Sequence, residues 1–148
     1  MKIGHKIETY RVGMTAKFSH TFTQKETEIM AELIADHNPF HYDGEFVKKS
    51  RFKEPIVHGL LVGGMISHFG GDLFPGPGCL AEHIEFDFLK PVYFGEKITA
   101  KCRITKVEKK ENRLTFEMQC FNEKDEHVVQ ASARCIPYQI EVESEDQC

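Results

Sequence analysis

Apolar and polar residues alternate along most of the second half of the chain, a pattern typical of strands with one buried face. Polar turns at 109–112 and 122–125 divide this half into three alternating runs, which predicts an antiparallel meander. Two further runs, 15–22 and 84–88, alternate in the same way and predict two more strands. The apolar positions of the three meander runs are Ile98, Ala100, Cys102 and Ile104, then Leu114, Phe116, Met118 and Cys120, then Val129, Ala131, Ala133 and Cys135.

Two principal helices are predicted between the early strand and the meander. Residues 23–26 form a capping box, with Thr23 as the N-cap and Glu26 at the third position. The helix that follows must end near Asp36, because Pro39 disfavours the α conformation for the residue before it. Segment 59–73 is apolar nearly all round, which predicts a buried helix. One side of the first helix carries Ile29, Met30, Leu33 and Ile34.

The open face of the meander needs cover, and the buried helix is the natural candidate. The fold class expected is therefore α+β, with one antiparallel sheet wrapped around a long central helix. A chain of 148 residues fits a single domain over 1–148. We expect its core at about 10–138, followed by an acidic tail at 141–148.

Composition narrows the function classes. The formal charge of −4 is spread along the chain without a Lys/Arg stripe, which argues against nucleic-acid binding. No apolar run approaches the ~20 residues needed to span a bilayer, and the first residues lack a signal-peptide core. The five cysteines have no CxxC spacing, so reduced thiols in a cytoplasmic protein are expected.

Asp36 and His41 are the first candidates for chemistry. They flank the rigid Asn38-Pro39 turn, which can hold both side chains on one side of a loop. Such a pair could hold and deprotonate a water and then return a proton. The alternatives are a surface loop and a metal site that includes His37, but Pro39 prevents the helical face that a zinc pair would use. We expect neither a metal nor a cofactor.

The start of the buried helix is the second candidate. If the helix begins at Gly59, its first amide lacks an intrahelical acceptor and could bind a carbonyl oxygen that gains negative charge. Gly59 could equally be a plain turn residue. His58 could cap or orient this helix start. Ser67, eight residues beyond Gly59, projects from roughly the same face or bonds back to a backbone carbonyl. The neighbouring Gly63 and Gly64 would leave room for a bound chain.

These segments together resemble a known family. The motif Asp36-x-Asn38-Pro39-x-His41, followed by Pro55-Ile56-Val57-His58-Gly59, is similar to the hydratase-2 motif of MaoC-like (R)-specific enoyl-CoA hydratases and related 3-hydroxyacyl-thioester dehydratases. The turn at 75–78 and the strand at 84–92 look like that family too, so the resemblance covers roughly 10–136.

The resemblance implies a hot-dog fold and a homodimer, with higher oligomers left open. It implies an acyl thioester substrate carried by coenzyme A or acyl carrier protein. Asp36 and His41 inherit the role of catalytic dyad, and Gly59 that of the donor to the thioester carbonyl. Ser67 would support the dyad, and Gly63 and Gly64 would shape the acyl tunnel.

One residue departs from the family pattern, and two rival functions remain. Ala35 stands where the family usually has Gly, which is costly only if this residue has a positive φ. A hot-dog thioesterase would use the same fold but direct water at the carbonyl carbon. A non-catalytic acyl-thioester-binding subunit would bind without turnover. The basic residues Lys48, Lys49, Arg51 and Lys53 could meet a carrier protein or coenzyme A phosphates, or form a solvated face.

Overall fold

A five-stranded antiparallel sheet is the main element of the computed structural model, which describes residues 1–143. Its strand order is β2-β4-β5-β6-β3, and a separate two-stranded sheet pairs β1 with β7. The strands are β1 Lys2–Gly4, β2 Thr15–Thr21, β3 Cys79–Phe88, β4 Lys97–Glu108, β5 Arg113–Phe121, β6 His127–Pro137 and β7 Gln139–Glu141. The helices are α1 Gln24–Ile34, α2 Gly44–Lys48, α3 Gly59–Gly63 and α4 Met65–Gly71.

The predicted meander is formed by β4, β5 and β6. Its register places Met118 opposite Cys102 on one side and Ala131 on the other, so the alternating apolar positions share one face. All three of these side chains are buried. The strands at 15–22 and 84–88 also form, as β2 beside β4 and β3 beside β6. They are therefore the two edges of the sheet.

The central helix is present but interrupted. One helix was expected over 59–73, whereas α3 ends at Gly63 and α4 starts at Met65. The interruption falls where two glycines are adjacent, and glycine lowers helix propensity by about 1 kcal/mol. Ile66 and Phe69 of α4 are fully buried in the core against the sheet. No helix within residues 1–143 is long and apolar enough to cross a membrane.

Helix α1 begins as the sequence predicts. The Thr23 hydroxyl accepts from the Glu26 amide at 3.3 Å, and the Glu26 carboxylate accepts from the Thr23 amide at 2.7 Å. Its apolar side, however, is open to solvent in this single chain: Leu33 is 77% exposed. The buried residues are Thr27 and Ala31. The helical period locates the apolar side, but it does not say what covers that side.

The expectation of five reduced thiols is wrong for two of the cysteines. Cys79 on β3 and Cys135 on β6 are joined by a disulfide, with their Cα atoms 5.9 Å apart. Cys135 lies directly opposite Ala81, so Cys79 is its diagonal neighbour across the strand pair. Strand pairing is not visible in the spacing of cysteines along the chain. Cys102 and Cys120 are free thiols whose burial raises their pKa to about 12, and Cys148 lies outside the described residues.

Candidate active site

The end of helix α1 aims Asp36 away from the helix axis. Ala35 is left-handed, with φ 56° and ψ 37°, and the Asp36 amide donates back to the Ala31 carbonyl at 3.1 Å. This is the usual geometry of a helix end, in which glycine normally occupies the left-handed position. Because φ of Ala35 is positive, alanine at this position is energetically costly compared with the glycine that is usual in the family. The chain still makes the turn that places Asp36 at the site.

The loop after Asp36 is fixed by its own hydrogen bonds. The Asn38 amide donates to Asp36 Oδ1 at 3.1 Å, and Asn38 Oδ1 accepts from the Phe40 amide at 3.3 Å. Pro39 starts a short 3-10 turn that ends at His41. Asn38 thus orients the carboxylate and starts the turn that carries the imidazole, in keeping with its expected supporting position.

His41 is held by the second half of the motif. The Ile56 amide donates to the Phe40 carbonyl at 3.0 Å, while the Ile56 carbonyl lies 2.9 Å from His41 Nδ1. Because a carbonyl can only accept, Nδ1 of His41 carries the proton in that hydrogen bond. In the neutral ring Nε2 then has a free lone pair and can act as a base.

His58 stands between the two predicted catalytic residues. Its Nε2 lies 2.6 Å from Asp36 Oδ2, and its ring stacks on His41 with the centroids 4.8 Å apart. Its Nδ1 accepts from the Leu60 amide at 3.2 Å and caps α3, the role considered for it from the sequence. The contact with Asp36 was not predicted. The two residues are 22 positions apart, and no periodicity or spacing connects them.

Gly59 lies at the N-terminal end of the central helix. It is the first residue of α3, and within residues 1–143 its N–H donates no hydrogen bond. A Cβ added here would lie 3.1 Å from Cε1 of Phe88. The absence of a side chain therefore lets this aromatic ring approach the start of the helix.

The carboxylate of Asp36 is kept ionised by its surroundings. The hydrogen bond from His58 is the main cause that lowers the pKa of Asp36, and the Asn38 amide adds to it. The side chain is 40% exposed, whereas that of His58 is only 5% exposed. The hydroxyl of Tyr42 is buried without a partner within the described chain, and burial together with the charge of Asp36 raises its pKa. The site thus combines an exposed anion with two buried imidazoles.

A metal ion does not fit these hydrogen bonds well. Asp36, His41 and His58 each offer a ligand atom, and those atoms lie within 4.8 Å of one another. His58 Nδ1, however, accepts from an amide, so the proton of the neutral ring is on Nε2. A metal at Nε2 would have to displace that proton and break the bond to Asp36. This arrangement favours acid–base chemistry over coordination.

A cavity of about 470 Å³ lies beside Gly59. Val57, Val62 and Phe88 form part of its apolar wall, and Arg51 lies on its border. The cavity ends short of Asp36 and His41, which are not among its walls.

Three of the predicted residues lie away from this cavity. Gly63 is covered by the ring of Phe86, whose Cε1 would lie 2.9 Å from an added Cβ, while Gly64 is exposed. Ser67 is exposed on α4 and borders a different cavity of about 190 Å³ near Cys79. The structure does not bring Ser67 into hydrogen-bonding contact with Asp36 or His41 in this single chain, described over residues 1–143.

The chain is similar to proteins of known activity. The family profile described as "MaoC like domain" matches residues 6–130. An (R)-specific enoyl-CoA hydratase of Rhodospirillum rubrum is 30% identical over 116 residues, which are 78% of this chain and 81% of that protein. A mitochondrial 3-hydroxyacyl-[acyl-carrier-protein] dehydratase of Arabidopsis thaliana is 29% identical over 121 residues, or 80% of this chain and 72% of its own length.

A solved structure agrees with the fold. The (R)-hydratase from A. caviae involved in PHA biosynthesis superposes with a TM-score of 0.82 at 29% identity, covering 87% of this chain and 98% of that one. The hot-dog architecture expected from the sequence is confirmed by this likeness. With a family match that spans most of its length, the chain belongs to the MaoC-like family.

Proposed function

We propose that this protein reversibly hydrates a trans-2-enoyl thioester to the (R)-3-hydroxyacyl thioester. The observation that carries the proposal is that His58 lies beside three groups: the Asp36 carboxylate, the His41 imidazole, and the Gly59 amide, which donates no hydrogen bond within residues 1–143. Membership of the MaoC-like family and similarity to an (R)-specific enoyl-CoA hydratase and to a 3-hydroxyacyl-[acyl-carrier-protein] dehydratase support it. The function is thus that of a hydro-lyase.

Asp36 and His41 would hold and activate the water. His41 Nε2 can take a proton from it, and Asp36 keeps lone pairs free on an ionised carboxylate. Water adds to C3 of the enoyl group, and the proton that it releases is returned to C2 by one of the pair. Delivery of both from the same face gives syn addition. General acid–base catalysis of this kind contributes roughly 10²–10⁴-fold in rate.

Gly59 would polarise the thioester carbonyl. As water adds to C3, negative charge moves to the carbonyl oxygen. The Gly59 amide, which has no acceptor within the described residues, can donate to that oxygen. The loss of one such donor costs roughly 10²–10³-fold in rate. The acyl chain would enter the cavity beside Gly59, against apolar residues such as Val62.

A homodimer is part of the proposal. Within residues 1–143, strand β3 is an edge of the sheet, and its Leu80 and Phe88 are 60% and 54% exposed. Pairing of the β3 strands of two copies would remove this edge from each copy and cover these side chains. The carrier of the acyl group, coenzyme A or acyl carrier protein, is left to the assays below.

The test is hydration of crotonyl-CoA, followed as loss of absorbance of the conjugated double bond. We expect Asp36→Asn and His41→Ala each to lose at least roughly 10²-fold in kcat. Asp72→Asn is the matched control, since it removes the carboxylate of an exposed Asp/His pair with His68 at the end of α4. It should keep the wild-type rate.

The rival functions predict different results in the same assay. A thioesterase would release free thiol without first removing the double bond. A non-catalytic subunit would bind the thioester without turnover. Near wild-type kcat in both Asp36→Asn and His41→Ala would refute the mechanism.

A further inference from the structure

His58 connects the Asp36–His41 segment with the start of α3. One ring nitrogen contacts Asp36, the other caps α3 beside Gly59, and the ring face stacks on His41. We propose that His58 is a positioning residue that holds the Asp36 carboxylate in place for water activation. This inference rests on the proposed function and adds to it the group that orients the acid–base pair.

The direction of each hydrogen bond follows from the chemistry of the ring. The Leu60 amide can donate only to an unprotonated nitrogen, so Nδ1 of His58 is the acceptor at 3.2 Å. The proton of the neutral ring is then on Nε2, which donates to Asp36 Oδ2 at 2.6 Å. A donor to an ionised acceptor makes a short and strong hydrogen bond. The helix cap therefore selects the tautomer that Asp36 needs.

His58 is well placed to act as the fixed partner. Its backbone amide donates to the hydroxyl of Thr27, a fully buried residue of α1, at 3.4 Å. The ring is almost fully buried, whereas Asp36 is 40% exposed and, within residues 1–143, has only the Asn38 amide as its other donor. Without His58 the carboxylate could turn towards solvent, because one backbone donor does not fix both of its oxygens.

The two roles of the ring can be separated by substitution. An Asn side chain has an acceptor near the position of Nδ1, so His58→Asn keeps a cap on α3 and loses the donor to Asp36. A Gln side chain has an N–H donor near the position of Nε2, so His58→Gln keeps the donor and loses the cap. The pair is matched, because each variant is neutral, each loses the ring that stacks on His41, and each keeps one of the two hydrogen bonds.

The two variants should differ most in kcat. His58→Asn should lose about 10- to 100-fold in kcat with little change in KM, the size of effect that a misplaced catalytic group produces. His58→Gln should have a lower urea midpoint because the cap is lost, yet it should retain a kcat at least about ten-fold above that of His58→Asn. A merely structural role predicts that kcat follows the urea midpoint in both variants.

The pH profile gives a second readout that a structural role would not move. The titratable groups that lower the pKa of Asp36 within the described chain are His58 and His41, and Asp36 in turn raises the pKa of the neighbouring Tyr42. Since the bond from His58 keeps the carboxylate ionised, His58→Asn should move the acid limb of kcat/KM to higher pH, and His58→Gln should leave it in place. If His58→Asn does not fold, the acid limb of His58→Gln decides: a wild-type limb supports the proposal and a displaced one overturns it.

Failure of this proposal is distinguishable from failure of the proposed function. If the wild-type protein hydrates no enoyl thioester, the function fails, while the titration of the Asp36 carboxyl by ¹³C NMR still tests the contact. We expect that titration to move to higher pH in His58→Asn. An unchanged titration, or equal kcat for wild type and His58→Asn, would overturn the positioning role.

Discussion

Replacement of Ala35 by glycine should stabilise the protein. Ala35 has φ 56° and ψ 37°, and a residue with a Cβ in this region costs about 1–2 kcal/mol. Glycine removes this strain but has more freedom in the unfolded chain, which costs about 0.5–1 kcal/mol. The difference is a gain of about 1 kcal/mol in the free energy of unfolding, or roughly 3 °C in Tm for a chain of this length.

Urea denaturation measures this difference directly. Wild type and Ala35→Gly should be compared at one protein concentration, because unfolding of the proposed dimer would depend on concentration. The denaturant slope should be unchanged while the midpoint rises. Since the backbone of Ala35 already has the left-handed geometry that glycine would adopt, Asp36 should stay in place and the hydration rate should also be unchanged.

Ala31→Gly is the control within the same helix. Ala31 is 1% exposed in the helical interior, so glycine there loses helix propensity, about 1 kcal/mol, and a buried methyl group as well. The two substitutions should therefore change the free energy of unfolding in opposite directions: Ala35→Gly should raise it and Ala31→Gly should lower it. A lower urea midpoint for Ala35→Gly would contradict the assignment of strain to this position.

The other predictions concern packing and substrate binding. Gly63→Ala should destabilise the fold by about 1 kcal/mol, because its Cβ would lie 2.9 Å from Phe86, whereas Gly70→Ala has its nearest neighbour at 3.8 Å and should raise the urea midpoint. A higher midpoint for Gly63→Ala would be inconsistent with that contact. Arg51 borders the cavity beside Gly59, where it could contact the phosphates of coenzyme A. Arg51→Ala should therefore raise KM for a coenzyme A thioester by up to about five-fold. KM for an N-acetylcysteamine thioester, which has no phosphates, should be unchanged. Lys110→Ala, on the distant turn between β4 and β5, is the control, and equal effects on both thioesters would refute the phosphate contact.

Local patterns predicted the elements of the fold well. The strand runs, the capping box at Thr23 and the break before Pro39 all depend on neighbouring residues, and the structure has each of them. The interruption at Gly64 was not predicted, because apolar periodicity continues through it. The disulfide between Cys79 and Cys135 depends on which strands pair, which the spacing along the chain does not determine.

The sequence identified individual candidate residues of the site, but not the hydrogen bonds between them. The sequence identified Asp36, His41 and Gly59 as candidates, and the structure brings their segments together. The His58–Asp36 hydrogen bond depends on where α1 ends relative to the start of α3, which is a tertiary property. The left-handed conformation of Ala35 was also undetermined, because Ala itself does not favour it.

The most direct test of the central claim is the stereochemistry of hydration. Crotonyl-CoA and longer enoyl-CoA substrates should be incubated with the wild-type protein, and the product should then be offered to an (R)-specific and an (S)-specific 3-hydroxyacyl dehydrogenase. Oxidation by the (R)-specific enzyme alone is the result that the proposed function predicts. Oxidation by the (S)-specific enzyme, or release of free thiol with the double bond intact, would contradict it.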